Sequence, residues 1–303
     1  MANKTIKVSS KSRRLVMREN VAGYLFMLPF LVFFVGFVLY PMVMCVYTSF
    51  FDATMGDRED IFLGFGNYVE LFNDPVFWKA LWNTLIIVFV SVPVTCAFSL
   101  WVASAIAKMP VAATSIFRCI FYLPVVTGSV AVTMVWKWMY NNYYGIFNYI
   151  GTSTGLLDKG INWLGDPKYA LACIILILLT TSVGQPIVLY VSALDNVDKG
   201  MVEAAEVDGA TKTQAFWKIK WPQMMSTTLY ILVITTINSF QCFALIQLLT
   251  SGGPNNSTMT IMYYIYHNAF KLYRYGYGNA MGVILAIIIA ILSAIQFKLG
   301  EEK

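Results

Sequence analysis

The chain has few charges and almost no histidine. Charged residues make up only 12% of its 303 residues, whereas hydrophobic residues make up 58%. So few charges cannot cover the surface of a soluble globule of this length, and a soluble fold is therefore excluded. The long apolar runs predict an all-α integral membrane protein, because a helix satisfies its own backbone hydrogen bonds in hydrocarbon.

Two further absences exclude a catalytic centre. His267 is the single histidine, so no histidine-based metal site or catalytic triad can be assembled. Glycine is nowhere followed by lysine, so the chain has no phosphate-binding loop of the GxxxxGK[ST] type. We therefore predict no enzyme activity, no metal and no cofactor in this chain, and no nucleic-acid partner.

The apolar runs also lack ionisable residues at their centres, since all 16 acidic residues lie outside them. Ion-driven carriers usually place carboxylates or histidines within the membrane, where a charge costs roughly 2.5 to 3.5 kcal/mol. An ion-coupled secondary carrier acting alone is therefore disfavoured. It remains an alternative prediction.

Six apolar runs are long enough to cross about 30 Å of hydrocarbon as helices. A basic segment, residues 1–20, precedes a membrane domain of residues 21–300. The first run is too long for a signal peptide and is read as an uncleaved anchor. The predicted spans are residues 21–51, 81–107, 115–140, 169–194, 224–250 and 278–297.

Lysine and arginine predict the orientation, because basic flanks are retained in the cytoplasm. With the N-terminus inside, 14 basic residues fall in inner segments and 7 in outer loops. Both termini are therefore predicted to be cytoplasmic. All the cysteines lie within spans and are expected to pack as small apolar residues without a disulfide: Cys45, Cys96, Cys119, Cys173 and Cys242.

A polar segment, residues 198–222, separates the fourth and fifth spans. Asp198 is placed to cap a first short helix, and Asp208-Gly209 is placed to end it. Thr211 with Gln214 forms a capping box for a second helix, which we expect to stop before Pro222. The pattern predicts a helix-turn-helix that docks on a partner; the alternative is a loop lying on lipid headgroups, anchored by its tryptophans.

The segment resembles the membrane-spanning permeases of ATP-binding-cassette (ABC) sugar importers. Their hallmark is a Glu-Ala-Ala tripeptide, glycine four residues after the last alanine, then isoleucine and proline. The matching residues here are Glu203, Ala204, Ala205, Gly209, Ile219 and Pro222. The likeness extends over nearly the whole chain and is strongest to the first permease of the maltose and glycerol-3-phosphate importers. Asp198 and Trp221 depart from the common pattern.

The resemblance implies a type I ABC importer permease fold and several partners. These are a second homologous permease, two ATPase subunits that hold Mg-ATP, and an extracytoplasmic sugar-binding protein, all at a bacterial cell membrane. It also implies that the polar segment couples this chain to an ATPase. The coupling residues are Glu203, Ala204, Ala205, Asp208, Gly209, Ile219 and Pro222.

Candidate sugar contacts are uncharged polar side chains that share a helical face in mid-span. The fifth span offers Thr235, Asn238, Ser239, Gln241 and Cys242. The fourth offers Thr181, Ser182 and Gln185, the last beside Pro186, which is expected to kink the helix. The alternative is that these side chains bond neighbouring helices.

The outer turn Gly252-Gly253-Pro254 is a candidate docking site for the binding protein, with a purely structural turn as the alternative. The sequence thus predicts half of an ATP-driven carbohydrate importer. An oligosaccharide is the preferred cargo, with a disaccharide or a polyol phosphate as alternatives. A homodimeric permease is the remaining alternative for the assembly.

Overall fold

The computed structural model describes residues 10–54 and 61–301, with side chains from residue 17 to residue 300 within those ranges. Residues 1–9 of the predicted basic segment lie outside the described residues. Numbered in chain order, the elements are α1 Ser10–Phe34, α2 Tyr40–Thr48, β1 Phe51–Asp52, β2 Ile61–Phe62, α3 Gly66–Asn73, α4 Pro75–Ile106, α5 Val111–Val126, α6 Ser129–Met139, α7 Ile146–Ser153, α8 Ala170–Ser182, α9 Gly184–Asp195, α10 Lys199–Val207, α11 Lys212–Ala215, α12 Trp221–Gln223, α13 Met225–Phe240, α14 Ala244–Leu249, α15 Ile261–Tyr266 and α16 Tyr275–Glu301. Single π turns join α1 to α2, α11 to α12, and α15 to the loop before α16.

The all-helical membrane prediction is confirmed. By length and composition, four helical stretches could each cross a membrane: Met17–Thr48, Pro75–Ile106, Met225–Leu249 and Tyr275–Gly300. Two bent pairs, α5 with α6 and α8 with α9, raise the number to six if each pair is one span. The first helix begins before its predicted start, at Ser10, because the preceding lysines and arginines are themselves good helix formers.

The fourth predicted span bends by 41° between α8 and α9. The break falls at Val183, three residues before Pro186. Proline has no N–H for the carbonyl of the residue four positions earlier, Ser182, and its ring would clash with that carbonyl. The expected kink is therefore confirmed, and its position follows from this missing hydrogen bond.

The third predicted span is not a continuous helix, because α5 and α6 meet at 93°. Thr127 and Gly128 have ψ angles of 131° and 134°, which is extended backbone. The Leu123 carbonyl accepts both the backbone N–H of Thr127 at 3.0 Å and its hydroxyl at 2.9 Å, which closes the last turn of α5. The apolar run predicted the length of this span and gave no signal of the right-angled bend.

The long helix α4 lies at the centre of the fold and packs against α8, α9, α13 and α15. Its side chains join two apolar clusters. The larger cluster includes Phe77, Ile174 and Phe240, and the smaller includes Ile106, Ile187 and others. By contrast, the most hydrophobic stretch of the first span, Met17–Thr48, has none of its residues buried within the chain.

We call the end of the helix bundle that carries residues 198–223 the inner end, following the predicted orientation, and the opposite end the outer end. At the outer end, β1 and β2 form a two-stranded antiparallel sheet, and Thr54 pairs with Arg274 beside it. All five cysteines are free thiols in the part of the chain that the structure describes.

Candidate functional site

The polar segment between α9 and α13 is a helix-turn-helix whose first helix is α10. The Asp198 carboxylate accepts hydrogen bonds from the backbone N–H groups of Gly200 at 2.8 Å and Met201 at 3.4 Å. This confirms Asp198 as the N-cap of α10. Asp198, which differs from the residue that is common at this position in the family, therefore supplies a helix cap.

The first helix ends as the sequence predicts. Gly209 has a φ of +84°, the left-handed conformation that glycine adopts without a Cβ clash. The N–H of Ala210 donates to the carbonyl of Ala205 at 2.9 Å, and the N–H of Gly209 donates to that of Glu206 at 3.1 Å. This pair of bonds is the Schellman motif, which fixes the direction in which the chain leaves α10.

The second helix begins with the predicted capping box, but it does not stop before Pro222. Thr211 and Gln214 bond each other's backbone N–H groups, at 2.8 Å and 3.3 Å. The chain then makes a π turn over Phe216–Lys220 and a last turn, α12, that contains Pro222 near its start. The prediction of a stop was wrong because the wider π turn accommodates a residue without an N–H, and the proline then lies at a helix start.

The coupling residues predicted from the resemblance lie mostly on the surface. Glu203, Ala204, Asp208, Gly209 and Pro222 are exposed. Ala205 and Ile219 are half-buried. An open groove of about 740 Å³ separates the segment from the inner ends of α4 and α9. Glu203 lines this groove and forms no ion pair among the described residues.

The tryptophans of the segment lie on a different groove from Glu203. Trp217 and Trp221 pack against each other at 5.5 Å between ring centroids. They line an apolar groove of about 440 Å³ together with residues of α4, α13 and α16. The segment therefore has two distinct surfaces, one polar beside Glu203 and one aromatic, so the docking and lipid-anchoring interpretations concern different surfaces.

One hydrogen bond that holds the segment together, which we call the Gln223 tie, could not be predicted from the sequence. The side-chain oxygen of Gln223 accepts a hydrogen bond from the backbone N–H of Asp198 at 3.2 Å, and its amide nitrogen lies 3.6 Å from the Met201 sulfur. Gln223 therefore closes the helix-turn-helix on itself by joining its last residue to its first. A glutamine beside a proline has no pattern that would predict this contact.

Five of the eight predicted sugar contacts line one small cavity. The cavity has a volume of about 150 Å³ and lies between α5, α8, α9 and α13. The predicted residues that line it are Thr181, Ser182, Gln185, Thr235 and Asn238. Residues separated by more than forty positions in the chain thus meet because the bend at Val183 brings the start of α9 beside the middle of α13.

The other three lie elsewhere. The Ser239 hydroxyl is buried and hydrogen-bonded to the hydroxyl of Ser91 on α4 at 3.0 Å, which is the helix-to-helix contact that the alternative interpretation described. Cys242 is buried in the larger apolar cluster, and its carbonyl accepts from the Thr260 hydroxyl at 3.0 Å. Gln241 is exposed at the C-terminal end of α13.

The outer turn at residues 252–254 is held from several sides. Gly252 has a φ of +82° and is buried, and a Cβ there would lie 2.8 Å from the Met259 side chain. Gly253 and Pro254 are half-buried. The amide of Asn83 donates to the carbonyls of Asn256 and Met259, both at 3.0 Å. The turn is therefore a rigid feature of the outer end.

These features define a multi-pass helical membrane protein with an exposed helix-turn-helix at its inner end and a polar cavity between its helices. The profile of the family described as "Binding-protein-dependent transport system inner membrane component" matches residues 9–300. The chain therefore belongs to this family of transport permeases. Membership supports the permease prediction and does not support the lone ion-coupled carrier.

Curated relatives cover almost the whole chain. It is 31% identical to the "Lactose transport system permease protein LacF" of Rhizobium radiobacter, over 94% of this chain and 95% of that protein. It is also 31% identical to the "Multiple sugar-binding transport system permease protein MsmF" of Streptococcus mutans, over 92% of this chain and 96% of that protein.

Solved structures show the same fold. A chain of a bacterial ABC transporter involved in the import of the acidic polysaccharide alginate superposes with a TM-score of 0.81. The superposition covers 94% of this chain and 97% of that chain at 22% sequence identity. At this identity the likeness concerns the fold, and it confirms the type I ABC importer permease fold.

Proposed function

We propose that this chain is one permease subunit of an ATP-driven carbohydrate importer in a bacterial cell membrane. It forms half of a translocation pathway, has both termini in the cytoplasm and relies on separate ATPase subunits that bind Mg-ATP. The observation that carries the proposal is the exposed Glu-Ala-Ala helix, which is capped at both ends and borders an open groove at the inner end.

Exposure of the polar segment supports an ATPase partner. Isolated helices of nine residues are marginal in water, so the two caps and the Gln223 tie keep α10 folded although it has few tertiary contacts. Glu203 and Ala204 on this helix are exposed, and Glu203 forms no ion pair among the described residues. Glu203 is then free to pair with a basic residue of the ATPase.

The unburied first span supports a second permease. Met17–Thr48 contributes no buried residue within the described chain, although it is long enough to cross the membrane. Its second part, α2, packs on α16, where the Asn279 amide donates to the Thr48 hydroxyl at 2.6 Å, and a partner permease would hold the remaining exposed length by van der Waals packing. We propose a heterodimer with a second, homologous permease, as the resemblance of the polar segment to the permeases of ABC sugar importers implies.

The polar cavity supports a carbohydrate cargo. Hydroxyl and amide groups of Ser182, Gln185 and Asn238 meet there within mostly apolar walls, which suits a ligand rich in hydroxyl groups. Similar proteins are named for lactose, multiple sugars and arabinooligosaccharides, and on that basis we favour an oligosaccharide.

We propose that an extracytoplasmic binding protein delivers the oligosaccharide to the outer end, where the turn at residues 252–254 lies. A similar solved complex contains a periplasmic protein bound to an alginate pentasaccharide.

The test is purification through a tag on this chain, followed by measurement of ATPase activity with and without sugar-loaded binding protein. We expect an ATPase to copurify, and Glu203→Ala to weaken its association about 30-fold, as when one partner of an interfacial charge pair is removed. Asp158→Ala, an equal charge change on an exposed loop residue far from the groove, is the control. If no ATPase copurifies, or if the two variants behave alike, the proposed coupling role is wrong.

A further inference from the structure

A second cavity, which is shallow and wide open at the surface, adjoins the polar cavity toward the inner end. It has a volume of about 450 Å³ and lies between α5 and α9. Gln185 and Leu189 line both cavities, so the two are neighbours along α9. The second cavity was not predicted from the sequence, because the α5 residues that line it fall in an apolar run with no polar periodicity. Its lining residues are Arg118, Cys119, Tyr122, Gln185, Val188 and Leu189.

Arg118 gives this cavity its polar character. Its terminal nitrogen donates to the carboxylate of Asp195, the last residue of α9, at 2.9 Å. The Nε–H of Arg118 is buried and has no hydrogen-bond partner among the described residues. A guanidinium carries five N–H donors in a planar fork, so one carboxylate contact leaves donors available for a ligand.

The remaining walls suit a sugar ring. Tyr122 is 39% exposed and offers a flat apolar face, and Gln185 offers an amide donor and acceptor. Flat aromatic surfaces beside a few directional polar groups are typical of sites that bind small polar molecules with apolar faces. Asp195 neutralises the charge of Arg118, so the site favours an uncharged saccharide over one that carries carboxylates.

We propose that this cavity is an exit-side saccharide subsite in which Arg118 donates hydrogen bonds to sugar hydroxyls while Asp195 holds its guanidinium in place. This inference rests on the proposed function, since it requires a carbohydrate cargo. Asp195 lies three residues before Asp198, the cap of α10. A movement of α10 would therefore displace Asp195 and alter the hold on Arg118, which links release of the sugar to the position of the polar segment.

Cys119 supplies a probe that does not depend on transport. The structure describes all five cysteines, and Cys119 is exposed whereas the other four are buried or half-buried. Cys119 lines this cavity beside Arg118. We would measure the rate at which N-ethylmaleimide labels Cys119 in the purified complex in lipid nanodiscs, by mass spectrometry. The probes are lactose, raffinose, maltotriose and xylotriose as uncharged saccharides, and trigalacturonate as a charged one. ATPase stimulation by each is measured in the same samples.

We expect an uncharged saccharide that stimulates the ATPase to slow labelling about threefold at a concentration twice its dissociation constant, by mass action. Trigalacturonate should protect less. Arg118→Gln should abolish protection. Arg118→Lys keeps the charge beside Asp195 but lacks the planar fork. The saccharide should therefore fail to slow labelling in the lysine variant. If Arg118 served only as a structural ion-pair partner of Asp195, lysine would replace it and protection would return. Cys119→Ser confirms the labelled position.

Three outcomes would overturn the inference while leaving the proposed function intact. In the first, a saccharide stimulates the ATPase without slowing Cys119 labelling. In the second, a saccharide slows Cys119 labelling in the Arg118→Lys variant as much as it does in the unaltered complex. In the third, Cys119 is unreactive without any sugar, which would mean that a partner subunit fills the cavity. If no saccharide stimulates an ATPase and none copurifies, the proposed function fails and the subsite falls with it.

Discussion

The two ends of the molecule are held together in different ways. At the outer end, hydrogen bonds join elements that are far apart in the chain. The carboxylate of Asp74 accepts hydrogen bonds from the hydroxyls of Tyr264 at 2.5 Å and Tyr277 at 2.7 Å. The carboxylate of Glu70 forms an ion pair with the guanidinium of Arg274. At the inner end, the hydrogen bonds of the polar segment stay within the segment itself, in its caps and the Gln223 tie.

The difference shows which end is complete within this chain. The outer ties fix helices α4, α15 and α16 relative to one another, so the surface at residues 252–260 keeps its shape without help. The inner caps fix the internal structure of the segment. Its second half is attached to the bundle, since Ala215 is buried and Trp217 and Trp221 line a groove with α4, α13 and α16, whereas α10 packs mainly on the rest of the segment. A short helix that is rigid in itself and has few contacts with the bundle is suited to move with a partner.

The largest effect is expected when a Cβ is added at the outer end. At Gly276 a Cβ would lie 1.9 Å from the carbonyl oxygen of Phe51, so the backbone would have to shift. We expect Gly276→Ala to lower the free energy of unfolding by about 3 kcal/mol or more, measured by thermal unfolding in detergent.

The matched inner variant is Gly209→Ala, where a Cβ would meet open space but the φ of +84° is strained for alanine. About 1 kcal/mol is expected there, since only the left-handed conformation is penalised. If Gly209→Ala proved the more damaging of the two, the contrast between a tightly packed outer end and an open inner end would not hold.

A medium effect is expected from Asp74→Asn. Burial raises the pKa of Asp74, but the hydroxyls of Tyr264 and Tyr277 and two backbone N–H groups outweigh burial, so the pKa lies below its ordinary value. A lowered pKa in the folded state gives stability that is present above the unfolded pKa of about 3.9 and is lost as the pH falls through the folded value. At neutral pH the variant should lose about 1 to 2 kcal/mol, after allowance for partial exposure.

The pH dependence identifies the cause. The melting temperatures of the original protein and of Asp74→Asn should converge as the pH is lowered below about 4 and separate above it. Tyr264→Phe removes one of the donors and should give a smaller loss with the same direction of pH dependence. A constant difference at every pH would show that the Asp74 charge does not stabilise the outer end.

The smallest effect is expected from the outer ion pair. Arg274 contacts both carboxylate oxygens of Glu70, but the two side chains are 38% and 50% exposed. Exposed pairs contribute about 0.2 to 1 kcal/mol and are screened by salt. Arg274→Gln should therefore change stability by about 0.5 kcal/mol, and a double-mutant cycle with Glu70→Gln would measure the pair itself. A coupling several times larger would mean that this pair, rather than Asp74, organises the outer end.

Local patterns predicted the polar segment well because its structure depends on near neighbours. The Asp198 cap, the Gly209 turn and the Thr211 to Gln214 capping box each involve residues within a few positions of one another. The one failure, the stop before Pro222, arose where a π turn replaced the regular helix. The roles of these residues in coupling stay a prediction.

The candidate sugar contacts were harder to predict because helical periodicity gives the face of a helix but not its neighbour. Thr235, Ser239 and Cys242 follow one another at helical spacing in the sequence, yet Thr235 lines the cavity, Ser239 bonds Ser91, and Cys242 lies beyond the end of α13 in an apolar cluster. Arg118 illustrates the same limit. Its partner Asp195 is 77 positions away, and no pattern in the sequence joins the two.

The sequence by itself determined the membrane class, the number of candidate spans, both ends of α10, the start of α11 and the family resemblance, because these depend on composition and on contacts between near neighbours. Only the tertiary structure decided the right-angled bend between α5 and α6, the meeting of α9 with α13 around a cavity, and the placement of Arg118 beside Asp195. These depend on how helices distant in the chain pack side by side, and packing of that kind is set by the whole chain at once.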